Sequence, residues 1–482
     1  MQVFRKFVLL AVLAGLATPA ICGDSKTIYY AVFIDGKKIG HSISTKLEAD
    51  GKVTTSQEML LELGRGNVKM KVAQKTTSVE TADGKPLEFT STQDMGIMAT
   101  TSSGAIKDGK LTLTKKVGGK STTTQTDWPK DAVMTHGGIL IAKAKGLKEG
   151  TEYSYNYFMP DSAQTVELKV KVGPEKEVDL LGRIVRLVEI ATTMSMPGGA
   201  MTATIYCDKD YADQKVIMTL AGMKLELVAC SRQFALSDND VVDFLARSLI
   251  EVPDVPADLR KARSAKFHLT MSKDDLKLPQ SDAQKVEKSG KTLVVTVRPS
   301  TMPSGGTFPY KGSDKELLAA TRPAAYLQSD QKEIIDLAKK AVGDTTDAGE
   351  AAGKMEKFVA GYIKKKDFSV GYASALEVAR TPQGDCTEHA VLLAAMCRSL
   401  GIPARVASGM AYMEQFAGKK NIMGMHAWTQ VNIDGSWLDL DAALGFDAGH
   451  VLFATDDGDN EDFMSLVAIL GNFKIEKVEV EN

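Results

Sequence analysis

From residue 26 to about 232 the chain alternates. Val166, Leu168, Val170 and Val172 are separated by polar residues, and so are Met223, Leu225 and Leu227. This is the period-two pattern of strands with one buried face. Asp-Gly-Lys recurs at Asp35, Asp50, Asp83 and Asp108, and Asp-Gly is suited to hairpin tips because both residues tolerate positive φ. The intervals between these tips are too irregular for a solenoid. The pattern predicts a large antiparallel meander over 26–232, either a sandwich or a strongly curved sheet.

A connector over 233–305 changes period. Residues 238–251 predict a helix carrying Val241, Val242, Phe244, Leu245, Leu249 and Ile250, stopped by Pro253 and Pro256. Two strands follow, one with Ala265, Phe267, Leu269 and Met271 on its apolar face and one with Leu293, Val295 and Val297. His268 falls on the opposite, polar face. Arg298 to Gly306 is rich in Pro, Ser and Gly and reads as a linker. Beyond it, Ser329 or Asp330 can cap a helix running to Val342. Met355, Phe358, Val359, Tyr362 and Ile363 then form an i, i+3, i+4, i+7, i+8 stripe.

The last third, 309–482, carries the candidate chemistry. Residues 386–400 are apolar on nearly every side after the first turn and are followed by Gly401 and Pro403, which predicts a buried helix with Cys386 at its N-terminus. A helix N-terminus favours a thiolate by at most about 2 kcal/mol, so the thiol also needs a basic partner. Residues 425–433 alternate as a strand, with His426, Trp428, Gln430 and Asn432 on one face. Asp434-Gly435 is a two-residue hairpin signal. If Ile433 pairs with Ser436, Trp428 lies opposite Asp441, and Asp441 shares the face of His426 one diagonal step away. Asp439 falls opposite Gln430, further off. Cys386, His426 and Asp441 are therefore the candidate nucleophile, base and orienting acid.

Other readings of these segments are less economical. Cys397 sits about three turns along the same helix and reads as core. His389 is one turn from Cys386, where two side chains leaving one helix rarely meet in line, so it reads as a polar first-turn residue. Glu388 reads as a first-turn acid complementing the dipole. The spacing of Cys386, His389 and Cys397 matches no structural zinc pattern, and no cofactor motif is present. Trp428 and Trp437 read as packing residues, with Trp428 placed to wall a cleft. Gln383 and the Cys386 backbone N–H are candidate oxyanion donors.

The stretches GDCTEHAVLLAAMCRSLGIPARVASGMAY and GMHAWTQVNIDGSWLDLDAALGFDAGHV resemble the bacterial branch of the transglutaminase-like superfamily, over about residues 309–455. The resemblance implies a papain-like core, with Cys386 as nucleophile, His426 as general base and then acid, and Asp441 as orienter. Ala442-Ala443 stands where members often have Pro-Thr. The fold class expected is α+β, a transglutaminase-like C-terminal domain preceded by a large antiparallel β domain. That domain loosely resembles open half-barrels of bacterial envelope proteins.

Composition and the N-terminus set the setting. Arg5 and Lys6 precede an apolar run from Phe7 to Ala17, too short to span a bilayer and laid out as a signal peptide over 1–22. The expected location is periplasmic or extracellular. Bulky Ile21 argues against a lipid anchor at Cys22. At 482 residues, 44% hydrophobic and 25% charged, with net charge −2, nothing points to nucleic acid. Spacing alone leaves a Cys207–Cys230 disulfide open. The activity expected is cysteine-dependent cleavage of peptide or amide bonds in a protein, peptide or cell-wall substrate. Amine-accepting acyl transfer is an alternative. So is a non-catalytic envelope protein that binds a partner through its β domain.

Overall fold

The computed structural model describes residues 24–65, 68–94, 99–117, 120–196, 199–220, 222–243, 248–272, 277–299, 305–365, 373–458 and 473–482. The expected signal peptide, most of the 298–306 linker and part of the expected 238–251 helix lie outside these residues.

Among the described residues, fifteen strands between Asp24 and Cys230 form one sheet. The first strand, Asp24–Ile34, lies in the middle, paired on one side with Lys37–Ala49 and on the other with Met223–Cys230. The chain runs outward along one arm to Lys120–Asp127, crosses through the helix Thr135–Lys145, and returns inward along the second arm. The four Asp-Gly-Lys sites are hairpin tips: Asp35, Asp50 and Asp108 have φ of 46, 53 and 50°, and Gly84 has φ of 83°. The two arms face each other. Phe158 of the second arm packs at 5.2 Å on Phe89 of the first. Glu80 of the first arm accepts from the His136 and Gly137 backbone N–H groups at 2.6 and 2.8 Å. The result is a strongly curved single sheet rather than a sandwich.

Cys207 and Cys230 are free thiols. They end the strands Gly199–Cys207 and Met223–Cys230, and the strand Asp213–Leu220 runs between these two. Two strand spacings are about 9.5 Å, beyond the roughly 7 Å that a disulfide tolerates.

Within the segment expected as a helix over 238–251, residues 238–243 and 249–251 are not helical, Ser248 is, and 244–247 lie outside the described residues. Asp243 bridges Gly64, and Ile250–Glu251 is a short strand paired with Met423 and Ile422. Val242 and Leu249 are buried while Val241 is 54% exposed. Ile250 and Glu251 thus pair with the edge of a neighbouring sheet instead of extending a helix.

The two connector strands form as expected, as Ser264–Met271 and Thr292–Val297. Their four-stranded sheet is completed by Phe473–Glu481 from the far end of the chain. A second sheet holds Ile250–Glu251, Lys419–Ile433, Ala404–Phe416, His450–Asp456 and Ser436–Leu440. Helices Lys332–Val342, Ala348–Tyr362, Ala375–Arg380 and Cys386–Ser399 pack on that sheet. The first of these is capped by Gln331, one residue beyond the expected cap. One core joins the middle of the large sheet (Tyr30, Val32, Leu225, Leu227) to the connector (Phe267, Val295) and to the second sheet (Met410, Tyr412, Val451, Phe453). No helix among the described residues is long and apolar enough to cross a membrane.

Candidate active site

The helix Cys386–Ser399 starts where the sequence places it, and the reason is local. Asp385 caps it, its side chain accepting from the Thr387 N–H at 3.0 Å, while the Glu388 carboxylate reaches back to the Asp385 N–H at 2.8 Å. This reciprocal pair satisfies donors that the first turn cannot. Gly384 precedes it with φ of +144°, and a Cβ there would stand 2.3 Å from Glu388 Cγ. Residues 387–398 of the helix are all buried, so Cys386 is held at the end of a fixed rod.

The His426 strand, Lys419–Ile433, is docked onto that rod. The Thr429 hydroxyl donates to the Ala390 carbonyl at 2.9 Å, one turn along from Cys386. The hairpin has the expected register, Ile433 with Ser436 and Gln430 with Asp439, turning at Asp434 (φ 50°) and Gly435 (φ 91°). The ladder ends at Leu440. Asp441 follows directly, and its Oδ2 accepts from His426 Nε2 at 2.8 Å.

Cys386, His426 and Asp441 are therefore brought together. The half-buried Cys386 thiol lies beside the His426 ring, near enough to act on its protonation, and His426 and Asp441 are 8 and 3% exposed. Burial alone would push the His426 pKa down, but the charges and hydrogen bonds of Asp441 and Cys386 outweigh it and raise it to about 10. Asp441 is penalised by burial too, and its two histidine neighbours hold it well below the usual carboxylate range. A ring held in this way by a buried acid is oriented to exchange a proton with a group beside it.

The other residues weighed in the sequence find different places. Cys397 is fully buried, and burial pushes its thiol up. His389 is buried, its Nδ1 2.6 Å from the Asp385 carbonyl oxygen, turned into its own helix end. Glu388 is no solvated dipole partner: it is 0% exposed and also accepts from the Ala373 N–H at 2.9 Å. Trp428 is buried 6.2 Å from the His426 ring and donates to Asp439 at 2.7 Å. Trp437 lies under the Arg405 guanidinium at 3.9 Å. The Gln383 N–H donates to the Thr381 carbonyl at 2.7 Å.

Three residues at the site were not singled out in the sequence. His450 Nε2 is 3.1 Å from Asp441 Oδ2, Asp447 Oδ1 is 3.1 Å from His450 Nδ1, and Glu356 accepts from the Asp441 N–H at 2.9 Å. Only long-range pairing brings them there. His450 opens a strand that lies across Ala404–Phe416 from the His426 strand, and no local spacing encodes that. One nitrogen of each of the two histidines and an Asp441 oxygen lie within 4.8 Å of one another, near enough for a metal ion. Both nitrogen–oxygen separations are hydrogen-bond lengths to one shared oxygen, so the set is arranged as two ring donors converging on one carboxylate.

Residues 335–442 match the model of the transglutaminase-like superfamily, so the chain carries a transglutaminase-like domain in its C-terminal part, behind a large antiparallel β region. No curated protein matches the chain. Among solved structures, a candidate cysteine protease from Cytophaga hutchinsonii is 17% identical, with 45% of this chain and 86% of that chain covered and a TM-score of 0.32. A candidate protease from Parabacteroides distasonis is 11% identical over 76% of this chain and 69% of that chain, with a TM-score of 0.20. At these scores neither likeness carries weight for fold or activity.

Proposed function

We propose that the protein is an exported cysteine hydrolase of peptide or amide bonds, with Cys386, His426 and Asp441 as its catalytic residues. The observation that carries this reading is the buried His426–Asp441 hydrogen bond set beside the Cys386 thiol at the N-terminus of its helix. The Cys386 thiolate, its proton held by His426, adds to a carbonyl carbon, and the Cys386 backbone N–H at the helix end faces the oxyanion that forms. The C–N bond breaks as His426 hands its proton to the departing amine. A thioester remains. Water then gives a proton to His426 and attacks the thioester, the C–S bond breaks, and the acid leaves the Cys386 thiolate beside protonated His426. Water is present at about 55 M, so an amine acceptor competes only where the site binds it and excludes water.

Iodoacetamide labelling of the mature protein between pH 5 and 9 tests the reading. Cys386 should label rapidly near neutral pH and Cys397 slowly. Labelling should vanish in Cys386→Ala and slow by about 100-fold or more in His426→Ala. Equal, slow labelling of all three proteins would defeat the proposal. In that event the function is to be sought in the β region, where a cleft of about 580 Å3 is lined by Lys26, Leu181, Arg183, Cys230 and Phe234 and offers a place for an envelope partner. A primary amine added during thioester turnover separates hydrolysis from acyl transfer by the product formed.

A further inference from the structure

We propose that His450 is a positioning residue of this site: it is a second ring donor on Asp441, is itself held by Asp447, and through Asp447 is tied to Arg260 of the connector. This rests on the reading of Cys386, His426 and Asp441 given above.

Asp441 lies just past the end of the ladder, its backbone held by Glu356 and by the Gly445 N–H, and the direction of its carboxylate is left to side-chain bonds. The hairpin ladder stops at Leu440, and residues 441–449 form turns without strand pairing before the chain re-enters the sheet at His450. An acid at the start of such a stretch is aimed by its side-chain bonds. Asp441 Oδ1 accepts from the Ala443 N–H at 2.8 Å, and Oδ2 takes His426 at 2.8 Å and His450 at 3.1 Å. His450, in contrast, stands on a fixed backbone, paired with Ala411. Its ring is 2% exposed and is packed by Phe446 at 4.7 Å, Trp428 at 5.4 Å and His426 at 5.5 Å.

The proton on His450 is placed by its neighbours. An ionised carboxylate can only accept, so the nitrogen facing Asp441 must carry the hydrogen. Nδ1 is 3.2 Å from the Asp447 N–H, which can donate to it, and 3.1 Å from Asp447 Oδ1, which can accept from it. Both the neutral and the charged ring therefore keep the Nε2 proton aimed at Asp441. Arg260 closes the chain from outside, donating to Asp447 Oδ2 at 2.6 Å and to the Leu444 carbonyl at 2.8 Å. The loop is pinned at both its acid and its midpoint.

Two measurements on the full mature chain test this. With histidine nitrogens labelled, the hydrogen-bonded ring N–H resonances of the wild-type proton spectrum should include, besides those of His389 and His136 on carbonyl oxygens, two assigned to Nε2 of His426 and of His450. Cys386 labelling should slow about ten- to a hundred-fold in His450→Leu, the range over which supporting groups act. In His450→Gln, whose amide N–H can donate in place of Nε2, it should return to within about threefold of wild type. A His450 Nε2 proton that is not hydrogen-bonded, wild-type labelling in His450→Leu, or a Gln variant as slow as the Leu variant would each overturn the proposal. If His450→Leu does not fold, the wild-type spectrum decides. Slow labelling of wild-type Cys386 with both resonances present would sink the catalytic reading while leaving the grip on Asp441 in place.

Discussion

Glu388 is two residues from the candidate nucleophile, and it is a carboxyl group that folding makes harder to ionise. Burial is the larger cause and the neighbouring Asp385 the next, and together they raise its pKa from 4.5 to about 8. Between these values the folded protein keeps a proton that the unfolded chain has released, so Glu388 makes stability fall as pH rises from about 4.5 to about 8, by a few kcal/mol at most. Below that window it contributes no slope. Urea unfolding of wild type and Glu388→Gln from pH 5 to 9 checks this. The variant should start less stable, because an amide has one acceptor for the Asp385 and Ala373 N–H groups, and should gain on wild type as pH rises. A difference independent of pH would mean that Glu388 ionises normally in the fold. At this scale the sequence gives the residue type and its place in the first turn. It does not give the burial, because Ala373, whose N–H the carboxyl group takes, stands outside the helix and fifteen residues before Glu388. The same holds for His450 and Asp447, whose roles depend on contacts with Asp441 and Arg260.

Two elements must keep a fixed offset for the thiol to meet the imidazole, and two residues set it. Thr429 fastens the His426 strand to the Cys386 helix through the Ala390 carbonyl. Thr429→Val removes that bond at nearly constant volume and should cost about 1 kcal/mol, with labelling of Cys386 slowed severalfold. Gly409 is directly opposite His426 in the ladder. An added Cβ would stand 2.0 Å from the Val451 carbonyl oxygen and 3.0 Å from the Trp428 ring, so the strands carrying His426 and His450 would have to part. Gly409→Ala should cost about 1–3 kcal/mol and abolish rapid labelling, read by urea unfolding and alkylation rate on the same preparation. Wild-type labelling in this variant would show that His426 does not depend on the close approach. The hairpin is the element most legible in sequence: Asp434-Gly435 sets the turn, the turn sets the register, and the register chooses Asp441 over Asp439. The close approach at Gly409 is invisible there, because it arises where a third strand shifts register between Ser408 and Gly409. The 238–251 segment departs from its helical pattern at its end for a related reason: Ile250 and Glu251 pair with the strand Lys419–Ile433, a partner far along the chain that local periodicity does not show.

At the scale of the molecule, the linker composition of 298–306 suggests a C-terminal domain that stands alone, and the packing says otherwise. The strand Phe473–Glu481 has its partner in Ser264–Met271, on the far side of that linker. Phe473, Ile475 and Val478 are buried there, and the second sheet shares its core with Tyr30, Val32, Leu225 and Leu227 of the curved sheet. Fully burying one such apolar side chain is worth about 1.5–3 kcal/mol, so a fragment of residues 309–482 forgoes more than a domain's usual net stability of about 5–15 kcal/mol. Expressed alone it should aggregate or bind a hydrophobic dye, with no rapid Cys386 labelling. A fragment of residues 248–482 restores the four-stranded sheet and the Arg260–Asp447 pair but leaves the face toward Tyr30 and Leu227 bare. It should be more soluble than the shorter piece, self-associate in size-exclusion chromatography, and recover part of the labelling rate. A monomeric 309–482 fragment that labels at the wild-type rate would show that the site is complete without the connector and the β region. The graded outcome would instead make the curved sheet part of what holds Asp441 in place, because the Arg260 that closes its loop packs against that sheet's core through Leu259 and Ala262.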